Sequence, residues 1–452
     1  MAASERFQPL PAGTHGLDPQ DVRVDQARRL REAMIELIAE KGYPAIRIAD
    51  LARTAHVSPP TLYSLYADKE ELFIDTYGDA ARRTGTAILA AHAAHEDPAE
   101  RMLAALRAFG ELCASEPQAV SLLVQGAFGA GPEVLRKRRA VLETLESYIQ
   151  SNRAPGQPPA TGDLTVRALL GGIREVSAAR LREGRHEELP DLAGPLIAWA
   201  GCYPGRLPDG LAAPDAEDAA EGEKAVLSPR ARRAEGPLPS GRSDLPREAI
   251  EKSQQERIVD ATAAIVAEAG LAGLTIPEIT KRANVSNQTF YSLYRSKHDA
   301  FLGAQKVSLH QALRVTAEAY GAHPDDWPGA VCAGIAALLG YLASEPAHAH
   351  MTVVDTFAAS PEAIRIRTEA IAGFRSYLTP GLDLPGLPAG LPGELAAESV
   401  VGGIWQILHD YIERAGAAAL PGAAPQLGYF ALAPFLGAER AAERALERGG
   451  AG

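Results

Sequence analysis

The sequence predicts an all-α protein built from two similar units, and three observations carry that prediction. First, residues 57–73 read VSPPTLYSLYADKEELF and residues 285–301 read VSNQTFYSLYRSKHDAF, so one motif occurs twice. Second, apolar residues around both copies recur at helical spacing, and no credible strand run is found. Third, residues 205–245 are rich in Pro and Gly and separate the copies. A tandem duplication joined by a disordered linker accounts for all three.

The register of the duplication stays nearly constant along the chain. Within the motif, Tyr63 matches Tyr291. Further on, the Ser-Glu-Pro of 115–117 faces that of 344–346, and the Gly-Gly-Ile that begins at Gly171 faces the one that begins at Gly402. The spacing between matching positions changes very little from the first of these pairs to the last. Such a small drift indicates a duplication with minor changes in loop length.

Composition predicts a soluble, cytoplasmic chain. Of the 452 residues 46% are apolar, so each unit of about 200 residues is large enough to bury its own core. The three cysteines form no CxxC pair and have no partner at metal-ligand spacing, which argues against a disulfide framework or a zinc site. The first residues lack the pattern of a secretory signal, and the longest apolar run, residues 331–343, is too short to span a membrane.

The first helix of each copy is predicted from its apolar face. In copy one the helix is expected from residue 25, after a flexible arm, because four apolar residues share one face: Leu30, Met34, Leu37 and Ile38. The second copy repeats the pattern with residues 258, 262, 265 and 266. Gly42 and Gly270 are expected to end these helices as C-terminal caps.

Two short helices joined by a tight turn are expected next in each copy. In copy two, Thr275 and Glu278 form a capping box at the start of the first short helix. Copy one has Arg47 at the capping position, so a weaker helix start is expected there. Ser58 and Ser286 are natural N-caps for the second short helix. This arrangement is a helix-turn-helix.

The motif resembles the head of TetR-family transcriptional regulators, whose pattern VSxxTLYxYFxSKEEL it approaches closely. The residues that carry the resemblance in copy one are Gly42, Ile48, Leu51, Ala52, Ala55, Val57, Ser58, Thr61, Leu62, Tyr63, Tyr66, Lys69, Glu70, Leu72 and Phe73. The resemblance implies a three-helix DNA-binding head and an all-helical ligand-binding body in each copy. The bodies match only in length and helical character. The duplication departs from the family, whose members ordinarily carry one head per chain and dimerise.

These considerations divide the chain into seven segments. The expected segments are a flexible arm at 1–24, a head at 25–84, a body at 85–204, a linker at 205–245, a second head at 246–308, a second body at 309–440 and a tail at 441–452. Each body is expected to hold about six further helices.

The second short helix of each head is expected to enter the major groove of double-stranded DNA. Copy two offers Asn287 and Gln288 to the base edges, and a side-chain amide binds adenine bidentately, whereas Pro59 and Pro60 of copy one hydrogen-bond poorly. The resemblance implies phosphate contacts from tyrosines and from the lysine of the next helix, although one tyrosine of each pair is also a candidate for packing the head. The expected DNA-binding residues are Arg47, Ser58, Pro59, Pro60, Thr61, Tyr63, Ser64, Tyr66, Lys69, Thr275, Ser286, Asn287, Gln288, Thr289, Tyr291, Ser292, Tyr294 and Lys297.

The net charge of −12 requires that any basic DNA footprint be local. Residues 281–297 of copy two carry four cations and no acid, whereas the matching residues 53–69 carry Arg53 and Lys69 against Asp68. The two heads are therefore predicted to be electrostatically unequal.

A largely apolar ligand pocket is expected between the helices of each body. Most of its candidate residues also suit a packed core. The candidates are Phe109, Cys113, Phe128 and Tyr148 in copy one and Tyr341, His348, Met351, Phe357, Tyr377, Trp405 and His409 in copy two. Copy two is favoured because it is richer in histidine and aromatic residues. His348 and His350 point to different faces of a helix, so neither a metal site nor a cofactor is expected.

No motif of an enzyme is found: a GxSxG elbow, a Walker or GxGxxG loop and a paired acid–base constellation are all missing from the sequence. The resemblance implies pairing through the last two helices of each body. We expect copy one to pair with copy two as a monomeric pseudo-dimer, with a homodimer as the alternative.

The expected function is a ligand-responsive repressor that binds an asymmetric DNA operator with two non-identical heads. The competing hypothesis is a ligand-sensing or protein-interaction module in which one or both heads have lost DNA binding, which the acidic balance and the Pro59-Pro60 pair favour. The sequence leaves open the effector, the target genes and the sign of regulation.

Overall fold

The computed structural model describes residues 18–126, 132–151, 164–203, 207–212, 246–356 and 360–449, and no β-strand occurs among them. The all-α fold class is confirmed. The helices of repeat one are α1 Pro19–Lys41, α2 Ile48–Thr54, α3 Pro59–Leu65, α4 Lys69–Ala93, α5 Pro98–Ser115, α6 Pro117–Ser121, α7 Pro132–Ser151, α8 Thr165–Arg182 and α9 Ala193–Ala200. Those of repeat two are α10 Arg247–Gly273, α11 Ile276–Ala283, α12 Asn287–Leu293, α13 Lys297–Gly321, α14 Trp327–Ser344, α15 Pro346–Ala349, α16 Pro361–Arg375, α17 Gly393–Ala415, α18 Ala424–Leu436 and α19 Ala438–Gly449.

Helices α1 to α9 correspond one to one with α10 to α18. Even a local irregularity is repeated: α6 continues into a π-helical turn at Leu122–Gly126, and α15 continues into one at His350–Val354. Such turns are rare, so their occurrence at matching places supports the register of the duplication.

The chain forms two compact units whose boundaries do not follow the repeats. One unit contains residues up to 148 together with 177–194, and the other contains 149–176 together with 195 onward. The second unit therefore includes all of repeat two and, from repeat one, the first part of α8 and most of α9. These two segments belong to it because they pack against α17 and α18.

The first head is a three-helix unit around one apolar core. Asp18 accepts a hydrogen bond from the backbone N–H of Gln20 at 2.8 Å, and Pro19 suits the first helical position, so α1 begins at Pro19. The expectation of a flexible arm to residue 24 is therefore wrong for residues 19–24. The core of this head is formed by side chains that are at most 4% exposed, among them Leu30, Met34, Leu37, Leu51, Leu62, Leu72 and Phe73.

The second head repeats this core with Ile258, Ile265, Ile279, Phe290 and Phe301. Its first helix ends differently from the prediction. The backbone of Gly270 leaves the helical region with φ of 64° and ψ of −177°, but a last helical turn continues α10 to Gly273. Gly270 thus marks a break within the helix, and only Gly42 lies directly beyond the end of its helix, with φ of 75°.

Within the second unit, α8 lies against α17 at a pair of glycines. A Cβ atom added to Gly171 would lie 2.4 Å from Cβ of Gln406, and one added to Gly402 would lie 2.5 Å from Cβ of Glu175. Real carbon atoms do not approach so closely, so only glycine allows these helices to meet here. In the alignment of the two repeats, Gly402 is the counterpart of Gly171 and Gln406 that of Glu175. One contact is therefore made twice, as across a twofold axis.

The neighbouring glycines continue this pattern towards α9 and α18. A Cβ on Gly172 would lie 2.4 Å from Trp199, and one on Gly403 would lie 2.7 Å from Phe430. Trp199 and Phe430 are again counterparts. Tyr203 donates a hydrogen bond to the carbonyl oxygen of Phe430 at 2.9 Å, and the two rings stack with centroids 4.7 Å apart. The four segments thus bury a continuous aromatic and glycine-rich seam.

Helix α14 is the one described helix that is long and apolar enough to cross a membrane by length and composition. Its mean hydropathy is 1.4 over 18 residues, and 44% of those residues are buried. Gly334, Leu338 and Leu342 of this helix line an internal cavity of the second body. The prediction of a buried helix at residues 331–343 agrees with this packing.

Two segment boundaries differ from the sequence prediction. Leu207 and Leu211, placed in the linker from the sequence, are buried at 6% and 1% exposure. The tail is helical to Gly449 because Ala441 and Ala445, one turn apart, pack their small side chains inward. The rest of the expected linker, residues 205–206 and 213–245, and the arm before residue 18 lie outside the described residues.

Candidate DNA interface and effector cavity

The recognition helices α3 and α12 begin with the same capping geometry. The Ser58 hydroxyl accepts from the backbone N–H of Thr61 at 3.2 Å, and the Ser286 hydroxyl accepts from that of Thr289 at 3.0 Å. Each serine hydroxyl also lies within 2.9 Å of the threonine hydroxyl, so the two side chains hold each other at the helix start. This cap fixes the first turn, whose outer face carries the candidate base-reading residues.

The outer face of that first turn differs between the heads, as the sequence predicts. Pro59 and Pro60 are exposed in head one, and Asn287 and Gln288 are exposed in head two. The Asn287 side-chain oxygen accepts from the hydroxyl of Thr280 at 3.3 Å, which orients its amide. Head two therefore presents two amides where head one presents two pyrrolidine rings.

One tyrosine of each recognition helix lies at the surface, and the other lies in the core. Tyr63 and Tyr291 are 57% and 59% exposed, so their hydroxyls are available for contact with a phosphate. Tyr66 and Tyr294 are only 7% and 6% exposed. The Tyr66 hydroxyl donates to Asp75 at 2.6 Å, and burial, followed by this bond, raises the pKa of Tyr66 above its usual range. The assignment of Tyr66 and Tyr294 to the DNA surface is therefore wrong, because the C-terminal turn of each recognition helix points them into the head.

The lysines that begin α4 and α13 hold the loop before the second head helix. The ammonium of Lys69 donates to the carbonyl oxygens of Tyr43 and Ile46, both at 3.1 Å, and lies 4.2 Å from the Tyr43 ring centroid. Partial burial lowers the pKa of Lys69. The ammonium of Lys297 donates to the carbonyl oxygen of Leu274 at 2.8 Å. Both predicted phosphate ligands thus also hold a loop of their own head in place.

The start of α2 in head one is held by an acid rather than by its N-cap side chain. Asp50 accepts from the backbone N–H of Arg47 at 3.2 Å and from the Lys41 ammonium at 2.7 Å. These bonds, that to Lys41 above all, lower the pKa of Asp50 to about 2. Sequence reasoning expected a weaker helix start here because it considered only the capping residue. Arg47 remains exposed, and Thr275 of head two is exposed and accepts from the N–H of Glu278.

The basic surface of head two is smaller than its four cations suggest. Arg282 makes two 2.8 Å hydrogen bonds to Glu268, which raise the pKa of Arg282 and reduce its net positive field. Lys281 is 80% exposed and its ammonium lies 3.8 Å from a carboxylate oxygen of Glu278, whereas the exposed Arg295 faces solvent. In head one, Arg53 pairs with Asp50 at 2.8 Å. The remaining local charge still favours head two for contact with phosphates.

One arginine of each head was missed by sequence reasoning. Arg29 is 4% exposed and donates from Nη1 to the carbonyl oxygens of Ala55 and His56 at 2.8 and 3.0 Å. Arg257 makes the same bonds, both at 3.0 Å, to the last residue of α11 and the residue after it. The two arginines occupy matching positions of the duplication, so comparison of the copies was the signal that could have found them.

Replacing Arg29 with methionine is expected to destabilise the turn of head one by about 1.5–3 kcal/mol, because the buried carbonyl of Ala55 and the partly buried carbonyl of His56 would lose a charged donor. Hydrogen exchange of residues 48–66, followed by mass spectrometry, measures this opening. Arg257→Met should have a smaller effect in head two, because that arginine is less buried. The exposed control Arg53→Met should leave the exchange rates nearly unchanged. Equal protection in Arg29→Met and in the native chain would contradict the role given to Arg29.

The second body contains an apolar cavity of about 80 Å³ that is partly open to solvent. The wall is formed mainly by aliphatic and aromatic side chains of α13, α14, α16 and α17, and its polar groups are hydroxyls and one indole. The residues that line it are Ser308, Leu309, Ala312, Thr316, Tyr320, Val331, Gly334, Ile335, Leu338, Leu342, Thr352, Val353, Phe374, Tyr377, Leu378, Val401, Ile404, Trp405, Leu408 and Ala431. No charged side chain belongs to this lining.

Of the pocket residues predicted in copy two, Tyr377 and Trp405 line the cavity. His348 lies one layer behind the wall, where it bonds to Ser308 at 2.7 Å and to Asp260 at 3.0 Å. Met351 is fully buried in the core of head two and not in the cavity. The expected lining role of His348 and Met351 is wrong because helix rotation turns each side chain towards the head.

Two further assignments in copy two, Tyr341 and His409, can be placed. Tyr341 donates to the carbonyl oxygen of Ser308 at 3.3 Å and is not a lining residue. His409 lies beside Asp410 and Glu413, with possible ligand atoms within 4.8 Å of one another. Asp410 is already paired with Arg167 at 3.3 Å. Phe357 lies outside the described residues.

Three of the four pocket residues predicted in copy one lie in packed surroundings. Cys113 is fully buried in a core with Phe109 beside it, and burial raises the pKa of the Cys113 thiol to about 12. The Tyr148 hydroxyl bonds to Nδ1 of His92 at 2.9 Å. Phe128 lies outside the described residues. The cavity of the second body is therefore the better supported site for a ligand.

The fold and these sites define a helical regulatory protein with two helix-turn-helix heads. The family of bacterial regulatory proteins called the tetR family matches the chain twice, at residues 30–76 and 258–303. Both heads of the chain thus match the tetR-family domain, one in each repeat.

A curated relative and several solved structures resemble parts of the chain. The HTH-type transcriptional activator FasR of Mycolicibacterium smegmatis is 24% identical over 147 residues, which are 32% of this chain and 67% of FasR. The fatty acid degradation regulator FadR of Bacillus halodurans matches with 18% identity and a TM-score of 0.35, over 38% of this chain and 96% of its own. FadR of Bacillus subtilis, solved with stearoyl-CoA, matches with 17% identity and a TM-score of 0.34 over the same shares.

Proposed function

We propose that the protein is a ligand-responsive transcriptional repressor whose two unequal heads bind one asymmetric DNA operator. The observation that carries the proposal is the pair of capped recognition helices with exposed but different leading residues, Pro59 and Pro60 in one head and Asn287 and Gln288 in the other. An amide pair reads adenine in the major groove, and a proline pair offers shape and methylene contacts only. The two half-sites are therefore expected to differ in sequence.

The seam between α8, α9, α17 and α18 supports the pairing of repeat one with repeat two inside one chain. Its glycine contacts at Gly171 and Gly402 are the same contact made in both directions, which is the pattern of an isologous interface. The covalent link raises the local concentration of each repeat at the other. We therefore propose that one chain acts as the pseudo-dimer that binds an operator.

The ligand response is proposed from the position of the cavity beside head two. Helix α13 begins at Lys297, shortly after the end of the recognition helix α12. Its residues Ser308, Ala312 and Thr316 line the cavity. The π-helical turn has Met351 in the head core and the adjacent Thr352 in the cavity wall. A ligand that favours one packing of these two elements would change the population of DNA-competent heads.

An apolar effector is proposed because no charged side chain lines the cavity. Ala312→Phe is expected to fill part of the cavity and to weaken binding of the fluorescent dye 1-anilinonaphthalene-8-sulfonate by about tenfold, a loss of about 1.4 kcal/mol. Ala317→Phe, at an exposed position one turn and a residue further along α13, is the matched control and should bind the dye normally. Equal dye binding by Ala312→Phe and the native chain would contradict the proposed cavity site.

Selection of binding sites from random DNA, combined with sedimentation of the complex, tests the proposed function. The expected result is one chain bound to two unlike half-sites whose centres lie about 34 Å apart. A perfect palindrome bound by two chains would contradict the pseudo-dimer and the asymmetric operator. A reporter gene placed behind the selected site should be expressed less when the protein is present, and higher expression would identify an activator, as the name of FasR states for that relative.

The alternative function is a ligand sensor whose heads no longer bind DNA. The exposed Pro59-Pro60 pair and the net charge of −12 favour it. Failure to enrich any DNA sequence at low salt, by a chain that still binds the apolar dye, would select this alternative.

A further inference from the structure

Two ion pairs join the repeats inside the second unit. Arg367 of α16 donates from Nη2 to Oε2 of Glu175 of α8 at 2.8 Å, and these side chains are 0% and 4% exposed. Arg167 of α8 lies with Nε 3.3 Å from Oδ2 of Asp410 of α17, and these side chains are 19% and 15% exposed. Each pair takes one member from each repeat, so both pairs cross the contact between repeat one and repeat two.

The ion pairs break the pseudo-symmetry that the glycine contacts obey. When the repeats are aligned, the four members correspond to residues that cannot form the same set of pairs: Arg367 to Arg138, Glu175 to Gln406, Arg167 to Glu398 and Asp410 to Ala179. The glycine contacts between the repeats are thus symmetric, whereas the charged residues of repeat one are complementary to those of repeat two.

Self-pairing of repeat two between two chains would place unfavourable groups together. Gln406 would take the place of Glu175 beside Arg367, so a fully buried guanidinium would lose that carboxylate. Glu398 would take the place of Arg167 beside Asp410, so two carboxylates would meet in a partly buried site. Both changes oppose association of repeat two with repeat two of a second chain.

Self-pairing of repeat one is less strongly opposed. The sequence counterpart of Arg367 in repeat one is also an arginine, so Glu175 would keep a cationic neighbour, but Arg167 would meet Ala179 and lose Asp410. The arrangement in which both carboxylates meet guanidinium groups is that of repeat one with repeat two. Specificity of this kind combines favourable pairs in one complex with unfavourable contacts in the others.

We propose that this surface selects repeat one as the partner of repeat two and rejects a second copy of repeat two. Glu175, Arg367, Arg167 and Asp410 are the residues that determine the choice. The proposal rests on the pairing part of the proposed function and is independent of whether the heads bind DNA. It predicts that the chain remains single in solution although its seam has the shape of a dimer interface.

Charge reversal at Asp410 in the full chain tests the proposal. In Asp410→Arg, the new arginine faces Arg167 within the chain but would face Glu398 in a repeat-two self-pair. The weight-average mass in sedimentation equilibrium is therefore expected to rise from 47.7 kDa towards twice that value as the concentration increases. Arg167→Asp places two acids together within the chain, so this variant should have a lower midpoint of thermal unfolding. It should stay monomeric, because a self-pair of repeat two would also bring two acids together, Glu398 and Asp410.

The double variant Arg167→Asp with Asp410→Arg restores an ion pair of reversed polarity within the chain. It is expected to be monomeric, with an unfolding midpoint close to that of the native chain. The matched control is Glu443→Arg, a reversal of charge at an exposed position of α19, which should leave mass and midpoint unchanged.

Because the Arg367–Glu175 pair still favours repeat one in Asp410→Arg, the proposal is overturned if this variant is as stable and as monomeric as the native chain, or if the double variant is no more stable and no more monomeric than Asp410→Arg alone. Should Asp410→Arg fail to fold, recovery of a folded monomer on adding Arg167→Asp supports the proposal, and no recovery overturns it. These measurements contain no DNA, so loss of operator binding in a separate assay would count against the proposed function alone.

Discussion

Arg367→Ala is expected to lower the free energy of unfolding of the second unit by about 3–5 kcal/mol, the cost of removing one member of a buried ion pair. Glu175, which is buried in the native chain, would lose the guanidinium that now lies 2.8 Å away. The Arg367 guanidinium also lies 4.7 Å from the centroid of the Trp405 ring, and that contact would be lost. Urea unfolding followed by tryptophan fluorescence measures the change. The chain's three tryptophans, at 199, 327 and 405, all belong to this unit.

A paired apolar replacement separates the loss of a charge from the loss of packing. Arg367→Met combined with Glu175→Leu removes both charges and fills similar volumes, so it should cost much less than Arg367→Ala alone and is expected to be nearly neutral. If the double variant were as unstable as Arg367→Ala, the effect would come from packing and not from the loss of the Arg367–Glu175 ion pair.

Gln288→Ala is expected to weaken binding to the selected operator by about 5- to 150-fold, corresponding to about 1–3 kcal/mol for a bidentate base contact. The physical reason is that Gln288 stands exposed on the first turn of α12, where a recognition helix meets base edges. Fluorescence anisotropy with a labelled operator gives the affinity. Because glutamine is uncharged, the slope of affinity against salt should stay the same.

The corresponding change in head one provides the matched control. Pro60→Ala removes no hydrogen-bonding group and should change the affinity by far less than Gln288→Ala. Lys281→Ala should instead reduce the slope of log affinity against log salt concentration by about one. This variant removes an exposed cation that is expected to contact phosphate and not a base. An equal loss from Pro60→Ala and Gln288→Ala would show that the heads do not differ in the way proposed.

The heads illustrate how far local sequence reasoning reaches. Helix starts follow from short-range hydrogen bonds, so Ser58 and Ser286 were identified correctly as caps from the sequence. The sequence could not show which of Tyr63 and Tyr66 packs into the head. Both belong to the same short segment, and only the tertiary packing decides which face of that segment is buried. The structural role of Lys69 was missed for a related reason, because its ammonium bonds to carbonyls of a loop that is distant along the chain.

The bodies illustrate where such reasoning stops. The prediction selected residues by chemical type, and His348 and Met351 were natural choices for a pocket. Their positions depend on the rotation of α15 and the following turn, which is set by packing against α10 and α13 rather than by any local pattern. The lining is instead dominated by aliphatic residues such as Leu309 and Leu338, which look like ordinary core in a sequence.

The sequence alone determined the duplication, the all-helical class, the two capped recognition helices and the inequality of their leading residues. These features depend on contacts within a few positions along the chain, or on comparison of one repeat with the other. Only the tertiary structure decided which charged residues meet across the seam, because Glu175 and Arg367 are 192 positions apart and no local pattern relates them. Contacts between residues that are distant along the chain likewise decide where the cavity lies and how the chain divides into compact units.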